Sequence, residues 1–79
     1  MEINEIVKFL RNSKGISQTF LAKKLKLSVS GYNMKERGKR PITIKELEKI
    51  AIILEVPVSI FFDEKFHVKC KSIKSKVVS

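Results

Sequence analysis

Only three residues, Lys26 to Ser28, separate two stretches that read as α-helix, and this gap constrains the chain more than any other feature. Upstream, Leu21, Ala22 and Leu25 carry a helical apolar spacing, and Ser17 precedes them as an N-cap. Downstream, Ser28 offers the same capping oxygen to a segment running to Glu36. A gap this short forces a tight turn between two crossing helices. Leu21, Leu25, Leu27 and Tyr32 can then close a small core between them, and Ala22 is small enough to let the backbones approach. Packing of this kind leaves the helix from Val29 to Glu36 facing outward.

The rest of the chain reads in the same terms. Ile3, Ile6, Val7 and Leu10 define a one-sided first helix, and Gly15 can end it in a left-handed conformation. Arg37-Gly38-Lys39-Arg40-Pro41 is a wet, basic loop. Thr43 with Glu46 forms a capping box for a fourth helix whose inner face is Ile44, Leu47, Ile50, Ala51 and Leu54. Pro57 suits the first turn of a short fifth helix packed through Val58, Phe61 and Phe62. The predicted fold is all-α, a compact five-helix bundle over residues 1–62. Residues 63–79 are expected to form a basic tail, disordered or with one strand around Phe66 to Val68.

A length of 79 residues suits one domain with one core, and 43% hydrophobic content argues against disorder throughout. No stretch approaches the roughly 20 apolar residues that cross a bilayer. The start, Met1 to Glu5, lacks the basic and apolar pattern of a secretory signal, and Cys70 has no second cysteine to pair with. A reducing, cytoplasmic setting is expected. The formal net charge of +9, from 17 basic and 8 acidic residues, makes polyanions the natural partners, nucleic acid first. Charge alone would equally serve solubility or an anionic membrane. Placement is more informative: of three arginines among 14 lysines, Arg37 and Arg40 fall in one loop directly after the outward helix.

Gly15-Ile16-Ser17-Gln18, Leu21-Ala22-Lys23-Lys24-Leu25, Leu27-Ser28 and Glu36-Arg37-Gly38-Lys39 together resemble the Cro and phage-repressor (XRE-type) family of helix-turn-helix domains. The resemblance extends from Ile3 to Phe62. It implies a lambda-repressor-like fold and a transcriptional regulator, a repressor by default, whose helix 29–36 enters the major groove of duplex DNA, about 12 Å wide. The family's base-reading positions fall on Val29, Ser30 and Met34, and Gln18 corresponds to a glutamine that contacts the phosphate or an outer base. Spacing adds Asn33 to the same face. Val29 and Met34 suit thymine methyls, whereas Ser30 and Asn33 can exchange hydrogen bonds with base edges. Arg37, Lys39 and Arg40, with Ser28, Lys35 and Lys14 behind them, are candidates for phosphate contact. Gly31 within this helix admits either a close approach to DNA or a tolerated helix glycine.

Two positions depart from the family pattern. Lys26 stands where a glycine with positive φ is usual, and Lys35 stands where a buried apolar residue is usual; its stem can pack while its ammonium stays in water. Ile52, Ile60 and Phe66 are apolar residues that the core pattern does not require, which points to a homodimer on a palindromic operator with half-sites one helical turn apart. The alternative within the same fold is an antitoxin, binding a toxin protein as well as DNA. No enzyme is expected, since the carboxylates are scattered on helix surfaces and no phosphate-binding loop or nucleophile motif occurs. His67 and Cys70 fall short of the four ligands of a structural zinc, so neither a metal nor a cofactor is expected. The few aromatics sit in core-like positions, which disfavours RNA.

Overall fold

The structure, a computed structural model, describes residues 2–62. Helix α1 covers Ile3–Ser13, α2 Gln18–Lys24, α3 Val29–Glu36 and α4 Ile44–Leu54, followed by a 3₁₀ helix at Val58–Phe62. The class is all-helical as expected, with four α-helices and a 3₁₀ turn in place of five α-helices. Ile6, Val7 and Leu10 of α1, Leu21 and Ala22 of α2, Tyr32 of α3, Leu47, Ile50 and Leu54 of α4, and Phe61 form a single core. Among the described residues, no helix is long and apolar enough to cross a membrane.

Each helix starts where a side chain satisfies its free backbone donors. Ser17 Oγ accepts from Phe20 N–H at 3.0 Å and Ser28 Oγ from Gly31 N–H at 3.0 Å. Thr43 Oγ1 accepts from Glu46 N–H while Glu46 Oε1 accepts from Thr43 N–H, the reciprocal box read from the sequence. Glu5 Oε1 similarly accepts from Glu2 N–H. A Cβ on Gly31 would lie 2.9 Å from Ser28 Oγ, so the glycine leaves room for the cap.

The helix ends share one solution. Gly15, Lys26, Gly38 and Glu55 all have positive φ, and each is followed by an N–H that reaches back five residues to a helix carbonyl. These backward bonds run from Ile16 to Arg11 (3.0 Å), Leu27 to Ala22 (2.9 Å), Lys39 to Met34 (2.8 Å) and Val56 to Ala51 (3.0 Å). This is the Schellman arrangement, and Ile16, Leu27 and Val56 complete it by packing an apolar side chain on the core. Lys26, at φ +57°, thus adopts the conformation for which glycine is usual. Lys26→Gly is expected to raise stability by about 1 kcal/mol, through relief of left-handed strain. Urea unfolding at constant m-value checks it, and an equal gain from Lys26→Ala would show that backbone strain is not the cause.

Three expectations about the core need correction. Val58 and Phe62 are 39% and 57% exposed, whereas Ile60 packs against the core beside the fully buried Phe61. In the 3₁₀ winding neighbouring residues stand about 120° apart, so Ile60 and Phe62 flank Phe61 on opposite sides. The segment turns the Ile60 side, expected to be surplus, toward the core and leaves the Phe62 side outward. Ile44 is 65% exposed because the first turn of α4 lies at the rim, beside Ile42 and Pro41.

Candidate nucleic-acid interface

Helix α3 has two unlike faces. Tyr32 and Glu36, one turn apart, point inward and are buried. Val29 is 45% exposed, Ser30 is exposed, and Asn33 and Met34 are half-buried on the opposite side. The structure therefore brings all four candidate base-reading residues to one accessible face, at the i, i+1, i+4, i+5 spacing. Ser28 sits exposed at the start of this face with its hydroxyl engaged as the cap, 3.5 Å from Ser30 Oγ. Arg37, Lys39 and Arg40 follow α3 directly and are exposed, as is Lys14 at the end of α1.

Lys35 has a different environment from the phosphate candidates beside it. Its ammonium donates to Glu46 Oε1 at 2.9 Å and to Pro41 O at 3.0 Å, which ties α3 to the start of α4. The lysine that replaces an apolar residue thus packs as part of an ion pair, with a side chain only 14% exposed. Burial pushes the Glu46 carboxyl up, but the Thr43 backbone bond and Lys35 outweigh it and hold it below the usual carboxylate range.

Behind α3 lies a polar cluster that the sequence reading missed. Arg11 Nε donates to Glu36 Oε2 at 2.8 Å and Nη2 to Oε1 at 2.9 Å, a bidentate pair. Arg11 Nη1 also donates to Ile16 O at 2.7 Å, fixing the turn before α2. The Tyr32 hydroxyl donates to Glu36 Oε2, and Gln18 Nε2 donates to Oε1 at 3.0 Å. Four donors thus fill a buried carboxylate, contrary to the expectation that carboxylates stay on helix surfaces. Burial pushes Glu36 up, but the bonds from Arg11, Tyr32 and Gln18 prevail and hold it below its ordinary value. Burial and the adjacent carboxylate push the Tyr32 hydroxyl well up, so it remains a donor.

Gln18 connects this cluster to the outer face. Its Oε1 accepts from Asn33 Nδ2 at 3.2 Å, so both ends of the amide expected at an outer base or phosphate are engaged, one by the buried Glu36 and one by Asn33 on the outer face. At the far side, Asn4 Nδ2 donates to Glu36 O at 3.0 Å, and a Cβ on Gly38 would approach that nitrogen to 3.2 Å. Of the dimer candidates, Ile52 is 76% exposed, Ile60 is packed as described, and Phe66 lies outside the described residues. The tail readings, including His67 and Cys70, lie outside them as well.

This arrangement has known counterparts. Residues 7–61 match the model of a family described as "Helix-turn-helix". Among solved structures the chain is similar to one titled "The N-terminal DNA binding domain of SinR from Bacillus subtilis", with 34% identity, a TM-score of 0.67, and coverage of 80% of this chain and 93% of that one. None of the curated proteins matches the chain. With the four-residue turn between α2 and α3, the outward α3 and a family match over the greater part of its length, the chain belongs to the Cro and phage-repressor type (XRE-type) of the helix-turn-helix family.

Proposed function

We propose that this chain is a sequence-specific regulator of transcription that binds duplex DNA by placing α3 in the major groove. One observation carries the proposal: α3 exposes Val29 and Ser30, with Asn33 and Met34 beside them, and runs directly into the exposed cations Arg37, Lys39 and Arg40. A helix in the groove brings its following loop alongside phosphate oxygens, where those cations would fix register while the helix face reads base edges. The net charge of +9 adds long-range attraction to the same partner. The similarity to a DNA-binding domain supports the same reading.

Two copies related by a two-fold axis would present their α3 helices about 34 Å apart, matching an inverted repeat with half-sites one turn apart. Exposed Ile52 is the side chain that such an assembly would cover. Occupancy of a promoter by this dimer would block transcription, which makes repression the expected output.

Selection of bound duplexes from a random pool, followed by footprinting, tests the reading. Enrichment of an inverted repeat is expected. Failure to enrich any duplex would remove the function, and enrichment of isolated half-sites bound as tightly as repeats would remove the dimer.

A further inference from the structure

We propose that Gln18 is a positioning residue for Asn33, and that the pair commits Asn33 to reading adenine in the major groove. This inference rests on the DNA-binding reading above and adds to it a specific base and the device that selects it.

The ionised carboxylate of Glu36 can only accept hydrogen bonds. Gln18 must therefore turn its Nε2 toward Glu36, as observed at 3.0 Å, and this leaves its Oε1 facing outward. An outward carbonyl demands a donor, and Asn33 meets it with Nδ2 at 3.2 Å. The orientation of the Asn33 amide is thus dictated from the core by a chain of groups running from Arg11 through Glu36 and Gln18. With Nδ2 engaged by Gln18, the half-buried Asn33 side chain has Oδ1 as the acceptor left for an outside partner.

Asn33 therefore offers outward an acceptor, Oδ1, and the second N–H of Nδ2. Adenine presents the matching pair in the major groove, an N6 amino donor and an N7 acceptor. Guanine presents two acceptors, O6 and N7, and would oppose Oδ1 with a like group. Asn33 could serve guanine by turning its amide over, but that would set its Oδ1 against Gln18 Oε1. Gln18 cannot turn in response, because its own carbonyl would then face the Glu36 carboxylate. The buried acid excludes the wrong base through two amides.

A role for Gln18 as a phosphate contact predicts something different. Loss of a phosphate contact weakens every duplex alike, whereas loss of a positioning contact changes preference at one base pair.

The test uses the full chain and the duplex enriched from the random pool. Each A·T pair of the site is changed to G·C, and each adenine to 7-deazaadenine, which lacks the N7 acceptor. At one pair, either change is expected to weaken the wild type by about tenfold or more. Asn33→Ala should abolish that sensitivity. Gln18→Ala, which leaves the Arg11–Glu36 pair in place, should collapse the adenine-over-guanine preference at the same pair, read as the ratio of the two duplex affinities. In the Asn33→Ala background, Gln18→Ala should change the preference no further. A Gln18→Ala variant that weakens all duplexes by one factor and keeps its adenine preference would overturn the inference and leave DNA binding standing. So would a site with no adenine whose replacement Asn33→Ala masks. Failure to enrich any duplex would overturn both readings.

Discussion

Replacing Arg11 with methionine is expected to lower the stability of the domain by about 3–5 kcal/mol, because it strands the charged, buried Glu36 without its bidentate partner. The guanidinium also holds the Ile16 carbonyl, so the turn into α2 loses its anchor at the same time. Urea unfolding monitored by far-UV circular dichroism measures the effect. A loss below about 1 kcal/mol would mean that the pair behaves like one on the surface. The same carboxylate sets a pH dependence. The folded pKa of Glu36 lies below its ordinary 4.5, so the folded state binds that proton less readily than the unfolded chain does. Its contribution is therefore fully present above about pH 4.5 and is lost as pH falls through the lower folded value. Glu46 is shifted in the same direction and adds to the loss. Arg11→Met removes the main group that lowers Glu36, so stability in the variant should depend less on pH across this acid range.

Replacing Arg37 and Arg40 together by alanine is expected to reduce the salt dependence of DNA binding by about two units of slope, close to one for each lost phosphate contact. Over a rise from about 50 to about 200 mM salt, wild-type affinity should then fall roughly tenfold further than that of the double variant. Base preference should stay as it was. Ser30→Ala and Met34→Ala should do the reverse, changing preference at single base pairs by about 1–3 kcal/mol with the slope unchanged. Titration of the enriched duplex at several salt concentrations separates the two behaviours. An unchanged slope in the double variant would place the loop away from the backbone.

What the sequence made legible was the local part of the structure. Ser17, Ser28 and Thr43 act on their own backbones, and Gly15 and Gly38 announce a left-handed stop, so helix limits could be read without knowing the fold. Glu55 takes the same conformation with no compositional mark. Arg11 and Glu36 were hidden for a different reason. Arg11 lies on the stripe of Val7 and Leu10, yet periodicity assigns only apolar residues inward and cannot show a partner 25 residues away. The signal was there in the residue type, since a lone arginine on an apolar stripe in a lysine-rich chain suits a buried bidentate pair. Gln18 followed from this omission: without Glu36 behind it, nothing in the sequence turned its amide inward. The exchange of Ile60 for Phe62 at the core reflects which flank of Phe61 the segment turns inward, which the spacing of five residues does not determine.

The central claim is that α3 enters the major groove, and methyl groups that project only into that groove test it most directly. In the enriched duplex, each thymine is replaced by uracil, which removes a C5-methyl, and each cytosine by 5-methylcytosine, which adds one. Pairing and the minor groove are untouched by either change. Affinity should change at a short contiguous run of positions in each half-site, and Met34→Ala should erase the response at one or more of them. An affinity indifferent to every methyl removed or added would take α3 out of the major groove and contradict the account.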